Sequence, residues 1–261
     1  MILFIFEGKK PEKHIFTTLE KLYFSNLKER IIYCFENNIY ELYRLMNESD
    51  FKEDIVSVIK YKFGNCQDNP LINIENISDV SEIYLFFDYD FQNKNITIKE
   101  INNQVLQMFN FFENENENIK LYISYPMAES IRCTNELPDS NFINYTVLRK
   151  DCSNFKHYVT QKYTFYKSMD FIVIPYDDNK KEFREISCKK YNEIKGNWEH
   201  LKKQHISKAN YICTGKYKIP TLKNSINQKN IFEKQIQKYV ERNDSVAILN
   251  SFPLFLYEYF K

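Results

Sequence analysis

The chain has 261 residues, of which 43% are hydrophobic and 27% charged, and its net charge at pH 7 is +1. This balance supplies enough apolar surface for a buried core and excludes a wholly disordered chain. Apolar residues 1–6 are too few for a signal peptide or a membrane span, and the six cysteines are scattered, which predicts a cytoplasmic protein with reduced thiols and no membrane contact.

The first half of the chain alternates short apolar runs with helical patterns. We predict strands where a run of apolar, β-prone residues ends abruptly, at residues 2–6, 30–35, 83–87 and 121–124. We predict helices where apolar residues recur every three or four positions, at residues 12–24, 40–46, 54–61 and 98–112. Segment 64–70 is predicted to be a loop, and segment 113–118 a solvated helix end or a loop. Strands alternating with helices predict an α/β fold with a mainly parallel, Rossmann-like sheet flanked by helices.

The second half is less regular. Strands are predicted at 171–174 and 246–249, and helices at 193–206, 231–239 and 253–260. Residues 1–150 carry 16 basic and 23 acidic side chains, whereas residues 151–261 carry 20 basic and 12 acidic ones. Charge alone favours a lysine-rich solvated helical face, and the same asymmetry would also fit a metal site beside a phosphate-binding surface. We therefore divide the chain into a metal-binding domain, 1–150, and a basic helix-rich region, 151–261, which either stands alone or completes the same domain.

Acidic residues follow three of the predicted strands. Glu7 comes directly after the first strand, Asp88 after the third, and Glu129 shortly after the fourth. Asp90 lies two residues beyond Asp88, so on extended backbone both side chains would point the same way. Ligands of open α/β sheets bind at the carboxyl ends of the strands, and clustered carboxylates favour a hard cation. The sequence therefore predicts a Mg²⁺ or Mn²⁺ site, and the scarcity of histidine argues against zinc.

Two short motifs carry a family resemblance over roughly residues 1–130. Glu7-Gly8 after the first strand and Asp88-Tyr89-Asp90 after the third resemble the TOPRIM domain. The stretch from Glu7 to Glu12 is similar to the opening of the RloB-like and OLD-like nucleases of bacterial defence loci, in which a second acid begins the helix. A third acid often follows the D-x-D motif in the topoisomerase form, but Gln92 stands at that spacing here.

The resemblance implies a metal-dependent phosphodiesterase that acts on DNA or RNA in antiviral defence. Asp88 and Asp90 would hold the metal, and Glu7 would bind metal or act as general acid or base. Gly8 would let the backbone turn sharply. Glu129 would either complete a second metal site or cap a helix. Arg132 or a lysine of the C-terminal half would neutralise a phosphate.

Two other functions remain open. Asp88 and Asp90 also resemble the first motif of HAD-type phosphatases, with Asp177 and Asp178 as the later acidic pair. That motif normally opens its fold and is followed by a threonine, whereas here two β/α units precede it and Phe91 and Gln92 follow. A non-catalytic module that binds a protein partner, a second copy or nucleic acid would use the 20 Tyr and 22 Phe residues, although aromatic residues also form cores.

Overall fold

The four strands predicted in the first half form one parallel sheet, in the spatial order Arg30–Cys34, Ile2–Phe6, Glu82–Asp88 and Ile119–Ser124. The computed structural model describes residues 1–24, 29–63, 69–115, 118–163, 168–221 and 226–260. The strands are β1 (Ile2–Phe6), β2 (Arg30–Cys34), β3 (Glu82–Asp88) and β4 (Ile119–Ser124). The helices between them are α1 (Pro11–Tyr23), α2 (Ile39–Glu48), α3 (Ile55–Phe63) and α4 (Ile98–Glu115). The predicted α/β class with a parallel sheet flanked by helices is confirmed.

The strand order creates a switch point between β1 and β3. From β1 the chain moves outward to β2, then returns past β1 to β3 and continues in that direction to β4. The loops after β1 and β3 therefore leave the sheet on opposite sides and open a crevice between them. In folds of this type that crevice is where ligands bind.

The rest of the chain, from residue 146 onward, adds helices and two short antiparallel strand pairs, one joining Thr146–Leu148 to Ser245–Ala247 and one joining Tyr176–Asp177 to Glu182–Phe183. Its strands are β5 (Thr146–Leu148), β6 (Tyr176–Asp177), β7 (Glu182–Phe183) and β8 (Ser245–Ala247). Its helices are α5 (Arg149–Cys152), α6 (Phe155–Lys162), α7 (Cys188–Thr214), α8 (Gln228–Gln235), α9 (Glu241–Asn243) and α10 (Ser251–Tyr259), and a π-helical turn joins α8 to α9. The Ser187 side chain caps the start of α7, and Gly215, at a φ of 80°, ends it in the left-handed conformation.

The predicted strand at 171–174 is wrong. Ile172 and Ile174 are buried as an apolar run requires, but their backbone groups bond to a local turn and to side chains rather than to a neighbouring strand, and the Ile172 N–H donates to the Met169 carbonyl at 2.9 Å. The Ile174 N–H donates to Thr18 Oγ1 at 2.9 Å, and the Ile172 carbonyl accepts from Trp198 Nε1 at 2.8 Å. Side chains from α1 and α7 thus satisfy the backbone groups that the local turn leaves free.

Two predicted loops fall partly outside the described residues. Within 64–70, residues 64–68 are not described, and a short 3₁₀ helix begins at Pro70. Within 113–118, α4 continues to Glu115 and residues 116–117 are not described. None of the helices in the described ranges is long and apolar enough to cross a membrane.

The C-terminal helix α10 packs on the sheet and shares its core. Phe255 is fully buried and contacts aromatic rings from three strands and from α1, namely Phe4, Phe16, Tyr84, Phe86 and Tyr122. Aromatic pairs in such tilted and edge-on arrangements add to the free energy of burial. The two halves therefore fold around one continuous hydrophobic cluster.

Truncation of this central ring tests how strongly the C-terminal helix supports the sheet. We expect Phe255→Ala to lower the free energy of unfolding by about 3–5 kcal/mol, because a large buried side chain leaves a cavity. Phe260→Ala is the control, since Phe260 is 49% exposed. Denaturant unfolding of both variants checks the prediction, and equal small losses would contradict it.

Candidate functional site

Glu7 and Asp88 face each other across the switch point. Glu7 continues β1, and its N–H donates to the Phe86 carbonyl of β3 at 3.0 Å. Its Oε2 atom accepts a hydrogen bond of 2.9 Å from the Asp88 N–H. The register of two neighbouring parallel strands thus brings residues 81 positions apart into contact.

Asp90 also lies at this crevice, although its backbone conformation differs from the predicted one. The strand ends at Asp88, and Asp90 has a φ of 47°, so the motif is not extended and the prediction of extended backbone is wrong. The Tyr89 N–H donates to the carbonyls of Ser124 and Pro126, each at 3.1 Å, which turns the chain over the end of β4. The left-handed conformation is uncommon away from glycine, although aspartate tolerates it better than most residues.

Glu12 lies against Gly8 in the first turn of α1. Pro11 begins this helix, and the Glu12 side chain is only 6% exposed. A Cβ atom on Gly8 would lie 2.9 Å from Glu12 Oε2, so a larger residue at this position would require the Glu12 side chain to shift. Among the described residues Oε2 has no hydrogen-bond partner. A buried carboxylate oxygen left in this state is costly unless a proton or a cation accompanies it.

Glu129 is held by the C-terminal segment. It lies in a 3₁₀ helix after β4 and is buried. The buried side chain of Asn250 donates to the Ala128 carbonyl at 2.9 Å and to Ser130 Oγ at 3.1 Å. The Asn250 N–H donates to Nδ1 of the buried His205 at 3.0 Å. The two bonds from the Asn250 side chain fix the residues on either side of Glu129 in the sequence.

The four predicted acids and Glu12 line one pocket of about 410 Å³, together with Gly8 and Gln92. Lys156 of α6 is the single basic side chain among the described residues that line it, and its Nζ lies 3.0 Å from Glu129 Oε1. Arg132 does not line the pocket; its guanidinium donates to Thr160 Oγ1 at 3.4 Å. Lys156 was not singled out by the sequence, because nothing in its local pattern separates it from the other basic residues of the second half.

Four of the carboxyl groups in the pocket have raised pKa values, which favour their protonated forms. Burial, together with the charges of Asp90, Glu12 and Glu129, raises the pKa of Glu7 to about 9, although the hydrogen bond from the Asp88 N–H acts in the opposite direction. Burial and the charge of Glu7 hold the pKa of Asp88 well above its ordinary value. Burial also raises the pKa values of Asp90 and Glu12. One lysine does not balance five acids, so protons or a cation must supply the remaining positive charge.

The donor atoms of the pocket are carboxylate oxygens, the type that Mg²⁺ and Mn²⁺ prefer. As they stand in the described residues, no three acidic, histidine or cysteine side chains converge on a common point that could hold a metal ion. Glu7 Oε2 is engaged by the Asp88 N–H, and Glu129 is engaged by Lys156. Binding of an ion would therefore require side-chain rotation within the pocket, while the unpartnered Glu12 oxygen is already available.

Removal of the lysine tests whether it competes with cations for this pocket. We expect Lys156→Ala to bind Mn²⁺ roughly threefold more tightly, a modest effect because solvent screens an exposed charge. Lys162→Ala, on the same helix but outside the pocket lining, is the matched control. Calorimetric titration with Mn²⁺ alone measures both affinities. Weaker binding by the Lys156 variant would contradict the expected competition.

Similarity to known proteins does not indicate the function of this chain. No family model, no curated protein and no solved structure matches the chain. Its function is therefore inferred from the pocket and from the motifs that position the carboxylates.

Proposed function

We propose that the protein is a Mg²⁺- or Mn²⁺-dependent phosphodiesterase of the TOPRIM type that cleaves DNA or RNA. The observation that carries the proposal is the single pocket at the β1/β3 switch point, which Glu7, Asp88 and Asp90 line together. These are the positions of the Glu-Gly and D-x-D motifs. The same resemblance suggests a role in antiviral defence within the bacterial cytoplasm.

Each side chain of the pocket has a chemical role in this proposal. Glu7, Asp88 and Asp90 would hold the ion, with Glu12 and Glu129 as further oxygen ligands. A bound ion would supply Lewis-acid stabilisation of the phosphate and lower the pKa of water. If Glu7 does not ligate the ion, its raised pKa suits it instead to exchange a proton near neutral pH. Lys156, at the wall of the pocket, would neutralise charge on the substrate phosphate.

A second pocket favours a polynucleotide over a small phosphate ester. It has a volume of about 760 Å³ and shares Gln92 and Ser153 with the carboxylate pocket. Its lining has three basic side chains, Lys94, Arg149 and Lys150, and two acidic ones, Glu100 and Asp244. Lys94 and Lys150 are exposed. Positive side chains beside an acidic centre suit a substrate whose neighbouring phosphates extend beyond the reacting one.

The phosphatase alternative lacks its second acidic pair at this pocket. Neither Asp177 nor Asp178 lines it. Asp178 instead accepts hydrogen bonds from Lys13 and His14, each at 3.0 Å. A HAD-type mechanism would therefore have to proceed without those carboxylates and without a role for Glu7.

The test is cleavage of labelled single-stranded and double-stranded DNA and RNA, with Mn²⁺ or with a chelator. We expect Mn²⁺-dependent cleavage by the wild type and a loss of at least about hundredfold in Glu7→Gln, as for removal of a group that contacts the reacting atoms. Glu36→Gln, an exposed residue paired with Lys9, is the control. Full activity of the Glu7 variant would favour the phosphatase chemistry. A wild type that neither binds Mn²⁺ nor cleaves nucleic acid would favour the non-catalytic binding module.

A further inference from the structure

The loop that follows the D-x-D motif is tied down by one arginine. Arg149 Nε donates to the Phe91 carbonyl at 2.7 Å, and Nη2 donates to the Asn93 carbonyl at 3.0 Å. The guanidinium carbon also lies 6.0 Å from the centre of the Phe91 ring. A planar guanidinium with several fixed donors can hold two carbonyl groups at once, which a lysine ammonium cannot do with the same geometry.

Arg149 is itself held by the second half of the chain. It follows β5, which pairs antiparallel with β8. Its backbone N–H donates to the Asp244 carbonyl at 2.8 Å. The β5–β8 pair therefore presents the guanidinium to the loop from a supported position.

Asp90 depends on this same loop. Its positive φ is a strained conformation for a residue with a side chain, and surrounding contacts must maintain it. Gln92, which lies between the two carbonyls held by Arg149, donates from Nε2 to Asp90 Oδ1 at 2.8 Å. The Asn93 N–H donates to the Asp90 carbonyl at 3.0 Å. The turn and the orientation of the carboxylate are thus parts of one hydrogen-bonded unit.

We infer that Arg149 is a positioning residue for Asp90, acting through the carbonyls of Phe91 and Asn93. The guanidinium keeps the turn closed, so that Gln92 directs the Asp90 carboxylate into the pocket. The consequence for metal affinity rests on the proposed function, whereas the effect on the loop does not. The second half of the chain is in this respect part of the site.

Hydrogen exchange measured by mass spectrometry tests the effect on the loop. In Arg149→Ala and Arg149→Lys we expect the amides of residues 89–93 to exchange at least about tenfold faster, because loss of the two bonds eases local opening. Arg242→Ala is the matched control, since Arg242 is exposed and does not line either pocket. Wild-type exchange in both Arg149 variants would overturn the inference. The lysine variant retains the charge and serves where the alanine variant does not fold.

Mn²⁺ titration of the same proteins tests the consequence for Asp90. We expect Mn²⁺ to bind about tenfold more weakly to Arg149→Ala, a loss of about 1.4 kcal/mol. Millimolar guanidinium chloride should restore part of the affinity, which a general loss of stability would not allow. Faster loop exchange with wild-type Mn²⁺ affinity would overturn the positioning role. If the wild type binds no Mn²⁺, the proposed function fails while the exchange experiment still decides the role of Arg149 in the loop.

Discussion

Asp88→Asn is expected to lose Mn²⁺ binding and, without metal, to unfold at a higher temperature than the wild type. Asp88 lies among four other acidic side chains that line the same pocket. Its replacement by asparagine removes one ligand and, at the same time, the cost of keeping protonated a carboxyl group whose charged form is disfavoured by burial and by the neighbouring carboxylates. We expect Mn²⁺ affinity to fall at least about tenfold. The unfolding temperature without metal should rise by about 2–4 °C, equivalent to about 1 kcal/mol for a chain of this size.

Thermal unfolding with a chelator and with Mn²⁺ measures both effects. Asp50→Asn is the control, because Asp50 is exposed and also has a positive φ, which asparagine adopts equally well. The control should behave as the wild type in both conditions. A less stable Asp88 variant that retains Mn²⁺-dependent stabilisation would contradict the proposed site.

The second large effect that we expect is a decrease in the free energy of unfolding as pH rises, caused by the buried carboxyl groups. Glu7 and Asp88 have raised pKa values in the folded state, chiefly because they are buried. The folded protein therefore keeps protons that the unfolded chain releases, so the stability contributed by these groups is lost as pH rises. The window extends from the ordinary value of 4.5 for a glutamate to about 9 for Glu7. Saturating Mn²⁺ should reverse this trend, because metal ligands must be deprotonated.

Buried basic residues change the stability with pH in the opposite direction. The contribution of a carboxylate therefore has to be measured as a difference between two proteins. Burial lowers the pKa of Lys208 to about 7 and holds that of His205 well below its ordinary value. Both contributions favour folding as pH rises, and both are present in every variant of the carboxylate pocket. The free energy of unfolding of the wild type minus that of Asp88→Asn, measured by denaturant titration from pH 5 to 9 with a chelator, therefore isolates the contribution of Asp88 and its coupling to the neighbouring carboxylates. A difference that does not change with pH would contradict the expected coupling.

Much of the first half could be predicted from sequence because its signals are local. Apolar runs that end at an acid identify β1 and β3, and apolar periodicity identifies α1 and α4. The segment 171–174 was wrongly predicted because an apolar run has the same appearance whether its backbone bonds to a strand or to distant side chains. Here the partners are Thr18 and Trp198, which no local pattern connects to it.

The sequence by itself determined which acids end the strands of a parallel sheet, since hydrophobicity and chain order specify those positions. Only the tertiary structure decided that β1 lies beside β3, which brings Glu7 against Asp88. The tertiary structure also identifies Lys156, Asn250 and Arg149 as residues that contact the acidic pocket or the loops beside it. No local sequence pattern separates them from similar residues in the second half of the chain and just before it. These contacts join residues far apart in sequence, and their energies depend on distance and burial that a linear pattern does not contain. The acidic residues could be identified from the sequence, but the contacts that hold them in one pocket depend on the tertiary structure.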